Sequence, residues 1–88
     1  MKAVLSPKAE KQLKKLSKIN QIAIAKKIRS IRDSTDIINE EKLRGLKNIY
    51  RIRVGDLRIV YKKTKKQIFI VLIHHRRDVY RLLKRLFG

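Results

Sequence analysis

The 88 residues include no cysteine, so neither a disulfide nor a thiolate metal site can supplement the core. This agrees with a reducing, cytoplasmic setting. No apolar run is long enough to span a membrane. The run near the start, Ala3-Val4-Leu5, is far too short for the core of a signal peptide. Acidic residues are few: 7 Asp and Glu stand against 25 Lys and Arg, a formal net charge of +18. The pI is near 10.9. Hydrophobic residues still make up 43% of the chain, which excludes a disordered basic tail. A chain this short buries only about 60–65% of its unfolded surface, so marginal stability or reliance on a partner is expected. The excess of cations implies salt-dependent attraction to a phosphate backbone or to a strongly acidic protein.

The patterning predicts a single α+β domain over residues 1–88. A short strand at Val4-Leu5 leads into Ser6-Pro7, a good helix start with Ser as N-cap and Pro in the first turn. Ala9, Leu13 and Leu16 recur at helical spacing, with Lys11, Lys14, Lys15 and Lys18 outward. After a break near Ser17 to Asn20, Ile24 or Ala25, Ile28 and Ile31 form the stripe of a second helix. Together these make an αα-hairpin. Residues 33–48 lose periodicity and carry Asp33, Asp36, Glu40 and Glu41, so this stretch reads as a loop with at most a short helical turn. Gln67 to Ile73 is apolar on both parities, as in a central strand covered on both faces. Val79, Leu82, Leu83, Leu86 and Phe87 then mark a last helix. The predicted order is β-α-α-β-β-β-α, a twisted, mainly antiparallel four-stranded sheet packed with the αα-hairpin and a C-terminal helix.

The hairpin in the middle carries the functional signal. Ile49 to Val54 alternates, as does Leu57 to Tyr61, and Gly55-Asp56 between them suits a two-residue primed turn. That turn sets Val54 opposite Leu57, Arg53 opposite Arg58, Ile52 opposite Ile59 and Arg51 opposite Val60. Tyr50, Ile52, Val54, Leu57, Ile59 and Tyr61 then share an apolar face. Arg51, Arg53 and Arg58 cluster on the reverse, although like charges across a ladder are destabilising. A local rule broken on an otherwise regular element marks a candidate site, and a polyanion is the partner that would relieve the repulsion.

These elements, with the words they contain, resemble the RelE/ParE toxin superfamily of toxin–antitoxin modules. The matching residues are Val4 to Ala9, Leu43-Arg44-Gly45-Leu46, the block Tyr50 to Tyr61, and His75-Arg76-Arg77-Asp78-Val79-Tyr80. The RelE branch consists of endonucleases that cut mRNA in the decoding site of the ribosome. By position, the resemblance implicates Arg51, Arg53, Arg58, Arg76 or Arg77, and Tyr80 in catalysis. The best-studied RelE pattern has lysines where Arg51 and Arg53 stand. Related branches place a histidine near the end of the last strand, here His74 or His75, or a glutamate ahead of the loop glycine, here nearest to Glu41. The resemblance also implies an acidic, RelB-like antitoxin as partner, docking in part on the last helix.

RNA cleavage without a metal uses the 2′-hydroxyl as nucleophile, and needs the phosphorane stabilised and the leaving 5′-oxygen protonated. Two adjacent histidines and scattered acids are a poor start for a metal site, so a metal-free, cofactor-free route is the consistent one. Arginine forks suit phosphate oxygens but cannot act as bases. Tyr80 could stack on a base or serve as general base; equally, it could anchor the last helix. Histidine exchanges protons near neutrality, but His74 and His75 point to opposite sides of an extended strand and only one can reach the site. His75 and Arg77 are therefore secondary candidates, as is Glu41, which could simply balance surface charge. Two rival functions remain open at this point: a ParE-like inhibitor of DNA gyrase, and a catalytically inactive RNA-binding homologue.

Overall fold

The computed structural model describes residues 2–33 and 40–75. Five strands and two helices follow one another as β1 (Lys2–Leu5), α1 (Pro7–Lys14), α2 (Lys18–Arg32), β2 (Glu41–Lys42), β3 (Ile49–Val54), β4 (Leu57–Lys63) and β5 (Gln67–His75). They form one sheet of order β1-β5-β4-β3-β2. β1 runs parallel to β5, and the other three pairings are antiparallel. The α+β class and the mainly antiparallel sheet are as the sequence predicts. The sheet has five strands where four were expected, because Glu41 and Lys42, in the presumed loop, pair with Arg51 and Tyr50. Glu and Lys are poor strand formers, and two residues carry no period to detect. The predicted last helix, with Val79, Leu82, Leu83, Leu86 and Phe87, lies outside the described residues.

Both helices begin as their sequences dictate. The Ser6 Oγ accepts from the Ala9 amide at 2.9 Å, with Pro7 in the first turn, where its missing N–H costs nothing. The Ser17 Oγ caps α2 in the same way. Ala9, Ile24, Ile28 and Ile31 are buried and pack on Ile52, Leu57, Ile59, Tyr61, Ile68, Ile70 and Ile73 of the sheet. No helix among the described residues is long and apolar enough to cross a membrane.

A bulge in β5 accounts for its unbroken apolar run. Val60 pairs with Leu72 and Tyr61 with Ile70, which leaves Val71 as the extra residue. Val71 and Leu72 both enter a second core on the reverse face, with Ile49, Val60 and the flanking Leu43, Leu46 and Phe69. Ser6 ties this bulge to the first helix. Its amide donates to Ile70 O at 2.9 Å and its hydroxyl donates to Val71 O at 2.8 Å. One buried side chain therefore serves a helix cap and an irregular strand together.

Ser6→Ala removes the cap and strands the Val71 carbonyl in the interior. The expected loss is about 1–3 kcal/mol of unfolding free energy, read from chemical denaturation at an unchanged m-value.

Candidate nucleic-acid interface

The hairpin register is the one the turn implies. Ile49 pairs with Lys62, Tyr50 with Tyr61, Arg51 with Val60, Ile52 with Ile59, Arg53 with Arg58 and Val54 with Leu57. Gly55 has φ +60, the conformation a primed turn requires and L side chains rarely adopt. On β5, His74 stands opposite Arg58 and His75 opposite Leu57. Residues in register share a face, so transverse rows can be read across the reverse side of the sheet. The row nearest the turn is Arg53–Arg58–His74. The next is Glu41–Arg51–Val60–Leu72, and beyond it lie Ile49, Lys62 and Phe69.

This face is less uniform than alternation alone suggests. Its far part is filled by the second core, and the cations line the edge nearest the turn. Arg53 is exposed, Arg51 retains 12% of its side-chain exposure, and Arg58 is buried. The three arginines that the sequence clusters on the reverse face therefore form a set graded in exposure. Arg58 donates from Nη1 to Leu57 O at 3.0 Å and to Gly55 O at 3.4 Å, which fixes it against the hairpin's own turn. Arg51 donates from Nη2 to Oε2 of Glu41, the residue directly opposite it on β2. Glu41 thus sits on the arginine face as a counter-charge.

The histidine beside the arginines is His74. His75, the secondary candidate from sequence, falls on the helix side, in a groove of about 420 Å³ between α1 and the end of β5. Lys8, Lys11 and Lys15 line that groove over Leu16, Leu57 and Ile73, and His74 also reaches its wall. The two rings meet edge to face, with centroids 6.1 Å apart. Arg76, Arg77 and Tyr80 lie outside the described residues. Among the described residues, no three His, Asp or Glu side chains are grouped as metal ligands.

Glu40 escaped the sequence reading. It accepts hydrogen bonds from the Tyr61 hydroxyl and from Lys63 Nζ, the latter at 3.0 Å. Burial first, and then the hydrogen bond to Glu40 and its charge, push the Tyr61 phenol far above its ordinary range. Tyr61 is thus a fixed donor and no acid–base candidate. The only available signal was weak: in a strand next to β3, consecutive glutamates must face opposite sides of the sheet.

Comparison with known proteins now bears on these features. The family model for the ParE toxin of the type II toxin–antitoxin system parDE matches residues 3–80. The chain belongs to the ParE toxin family. Solved structures extend the likeness across the RelE/ParE superfamily. The isolated Escherichia coli RelE toxin is 25% identical with TM-score 0.73, covering 98% of this chain and 98% of that one. The YoeB dimer from Staphylococcus aureus is 24% identical with TM-score 0.72, covering 86% and 97%. An archaeal RelE–RelB complex from Pyrococcus horikoshii is 24% identical with TM-score 0.70, covering 85% and 93%. No curated protein matches significantly in sequence.

The graded exposure of this toxin's arginines separates their roles in solution. Arg53→Ala is expected to weaken binding of a short single-stranded RNA and to lower the slope of log affinity against log salt by about 0.7, with folding stability unchanged within about 0.5 kcal/mol. Arg58→Ala is expected to lower stability by about 1–3 kcal/mol. Binding isotherms across a salt series and denaturant melts of both variants check this.

Proposed function

We propose that this toxin is a ribosome-dependent endoribonuclease of the RelE type. It would cleave mRNA in the decoding site by attack of the 2′-hydroxyl on the adjacent phosphate. The observation that carries this reading is the row Arg53–Arg58–His74 across three strands, with Arg51 in the next row. Such a row offers what in-line phosphoryl chemistry needs from a protein. Exposed Arg53 engages the incoming backbone. Arg58, held at Nη1 by two carbonyls, is a preorganised donor for the charge that develops on the phosphorane. His74 supplies the proton-exchanging group on the same face, a role for which histidine is suited. Arg76 or Arg77 and Tyr80 enter by resemblance, Tyr80 stacking on or activating the reacting nucleotide. With so few acid–base groups, efficient cleavage depends on the ribosome presenting the substrate in a strained, near-attack arrangement. The expected setting is the cytoplasm.

The partner that fits this charge is an acidic, RelB-like antitoxin. Lys8, Lys11 and Lys15 rim the apolar groove beside α1, and among the described residues none of them pairs with a carboxylate. A net charge of +18 also speeds encounter with an acidic chain. The RelE chains of Escherichia coli and Pyrococcus horikoshii were each crystallised with a RelB antitoxin.

The family match favours one other reading, a ParE-type inhibitor of DNA gyrase. A translating extract and a supercoiling assay separate the two. The endonuclease reading expects A-site cleavage of ribosome-bound mRNA, little cutting of free RNA and unaffected gyrase. Arg58→Ala should lower cleavage on the order of 10²–10³-fold, and His74→Gln should cost more than His75→Gln. Inhibition of gyrase at stoichiometric toxin, with ribosomal mRNA intact, would reverse the choice.

A further inference from the structure

Glu40 differs from the other acids among the described residues. Its side chain is 16% exposed, against 53–57% for Glu10, Asp33 and Glu41. Both of its oxygens are engaged. The Tyr61 hydroxyl donates to Oε2, while Lys63 Nζ lies 3.0 Å from Oε1 and 3.3 Å from Oε2. The same ammonium sits 4.9 Å from the centroid of the Tyr50 ring, and Tyr50 stacks on Tyr61 at 5.9 Å. These four side chains form a clasp on the helix side of β3 and β4.

The next residue, Glu41, lies on the other side of the sheet, opposite Arg51 and bonded to it. β2 contributes only two paired residues of its own, shorter than a strand that holds its register alone. Contacts outside the ladder must fix it: Leu43 and Leu46 pack against the second core on its C-terminal side, and the clasp holds its N-terminal side. Residues 40–41 then work as a rivet, with one carboxylate secured on each face.

We propose that Glu40 is a positioning residue for the arginine face. Held by Tyr61 and Lys63, it fixes β2 so that Glu41 meets Arg51. Arg51 thereby keeps one guanidinium orientation before substrate arrives, with the Glu41 carboxylate occupying the place that a phosphate oxygen later takes. The kinetic consequence rests on the endonuclease reading; the structural consequence does not.

Two variants test it. Glu40→Gln keeps the shape and an acceptor for Tyr61 but removes the charge that holds Lys63, and Tyr61→Phe removes the hydroxyl alone. The Leu43 amide, which bonds to Ile49 O at 2.9 Å just beyond β2, reports the strand's hold through hydrogen exchange. Both variants are expected to speed that exchange about tenfold and to lower kcat on ribosome-bound mRNA about tenfold, with KM within about twofold, as misplacement of a transition-state donor predicts. In a Glu41→Gln background, Glu40→Gln should bring no further loss of kcat. Wild-type exchange at Leu43, an unchanged kcat, or an equal kcat loss in the Glu41→Gln background would each overturn the proposal. If the wild-type toxin cuts no mRNA, the endonuclease reading fails by itself. Leu43 exchange and the Arg51 Nε–H resonance, expected to shift in Glu40→Gln, then decide the positioning role alone.

Discussion

Gly55 and Asp56 close a two-residue turn, and the face taken by every side chain of β3 and β4 follows from it. The side-chain period of a strand is two, so a slip of one residue would carry Ile52, Leu57, Ile59 and Tyr61 out of the core and the arginines into it. Gly55 holds the turn through backbone conformation and not through crowding: its φ is +60, while nothing lies within 4 Å of an added Cβ. β5 inherits the register through β4, and the bulge at Val71 then resets it. On the reverse face the row nearest the turn is cationic, and Ile49, Val60, Val71 and Leu72 form an apolar core beyond it, with exposed Lys62 in the last row. Among the described residues, the site is therefore a product of strand register.

Placing Arg58 in the interior is a costly choice for a small domain. A buried charge needs hydrogen bonds to compensate lost hydration, and the two turn carbonyls supply part of this. The same contacts restrict the guanidinium's rotation, which is unhelpful for a surface grip but useful for stabilising charge that appears at one point. Arg53, exposed on the opposite strand, has the reverse character. The two residues stand in one row yet differ in how much freedom they retain, and the proposed endonuclease reading assigns the freer one to capturing a backbone and the fixed one to its transition state.

Much of this was legible because alternation and turn chemistry are local. The pairing of Arg53 with Arg58 needed only the length of the turn between them. The Ser6 cap and the Ile24, Ile28 and Ile31 stripe needed only neighbouring residues. What escaped was non-local. Val71 and Leu72 share a core only because a bulge shifts β5, and a uniformly apolar run gives no sign of where such a shift falls. Histidine orientation depended on that register: choosing His74 over His75 required knowing which residue meets Arg58. β2 exists through its partners, since neither Glu41 nor Lys42 favours a strand. Glu40 was invisible for the same reason, as its value lies in Tyr61 and Lys63, 21 and 23 residues away.

The electrostatics of the arginine face leave it poised. Like charges directly across a ladder are destabilising, yet the sheet holds the Arg53–Arg58 pair without a bound anion. Glu41, itself 53% exposed, is the counter-charge for Arg51, whose side chain is 12% exposed. In the proposed reading a phosphate, better suited to the guanidinium fork, takes over this contact from the carboxylate. The arrangement thus keeps the face folded when empty while leaving the larger electrostatic gain to the arrival of a polyanion. Under the proposed reading, that asymmetry would separate a built anion site from a merely basic surface, on which each charge is hydrated and none is held in place.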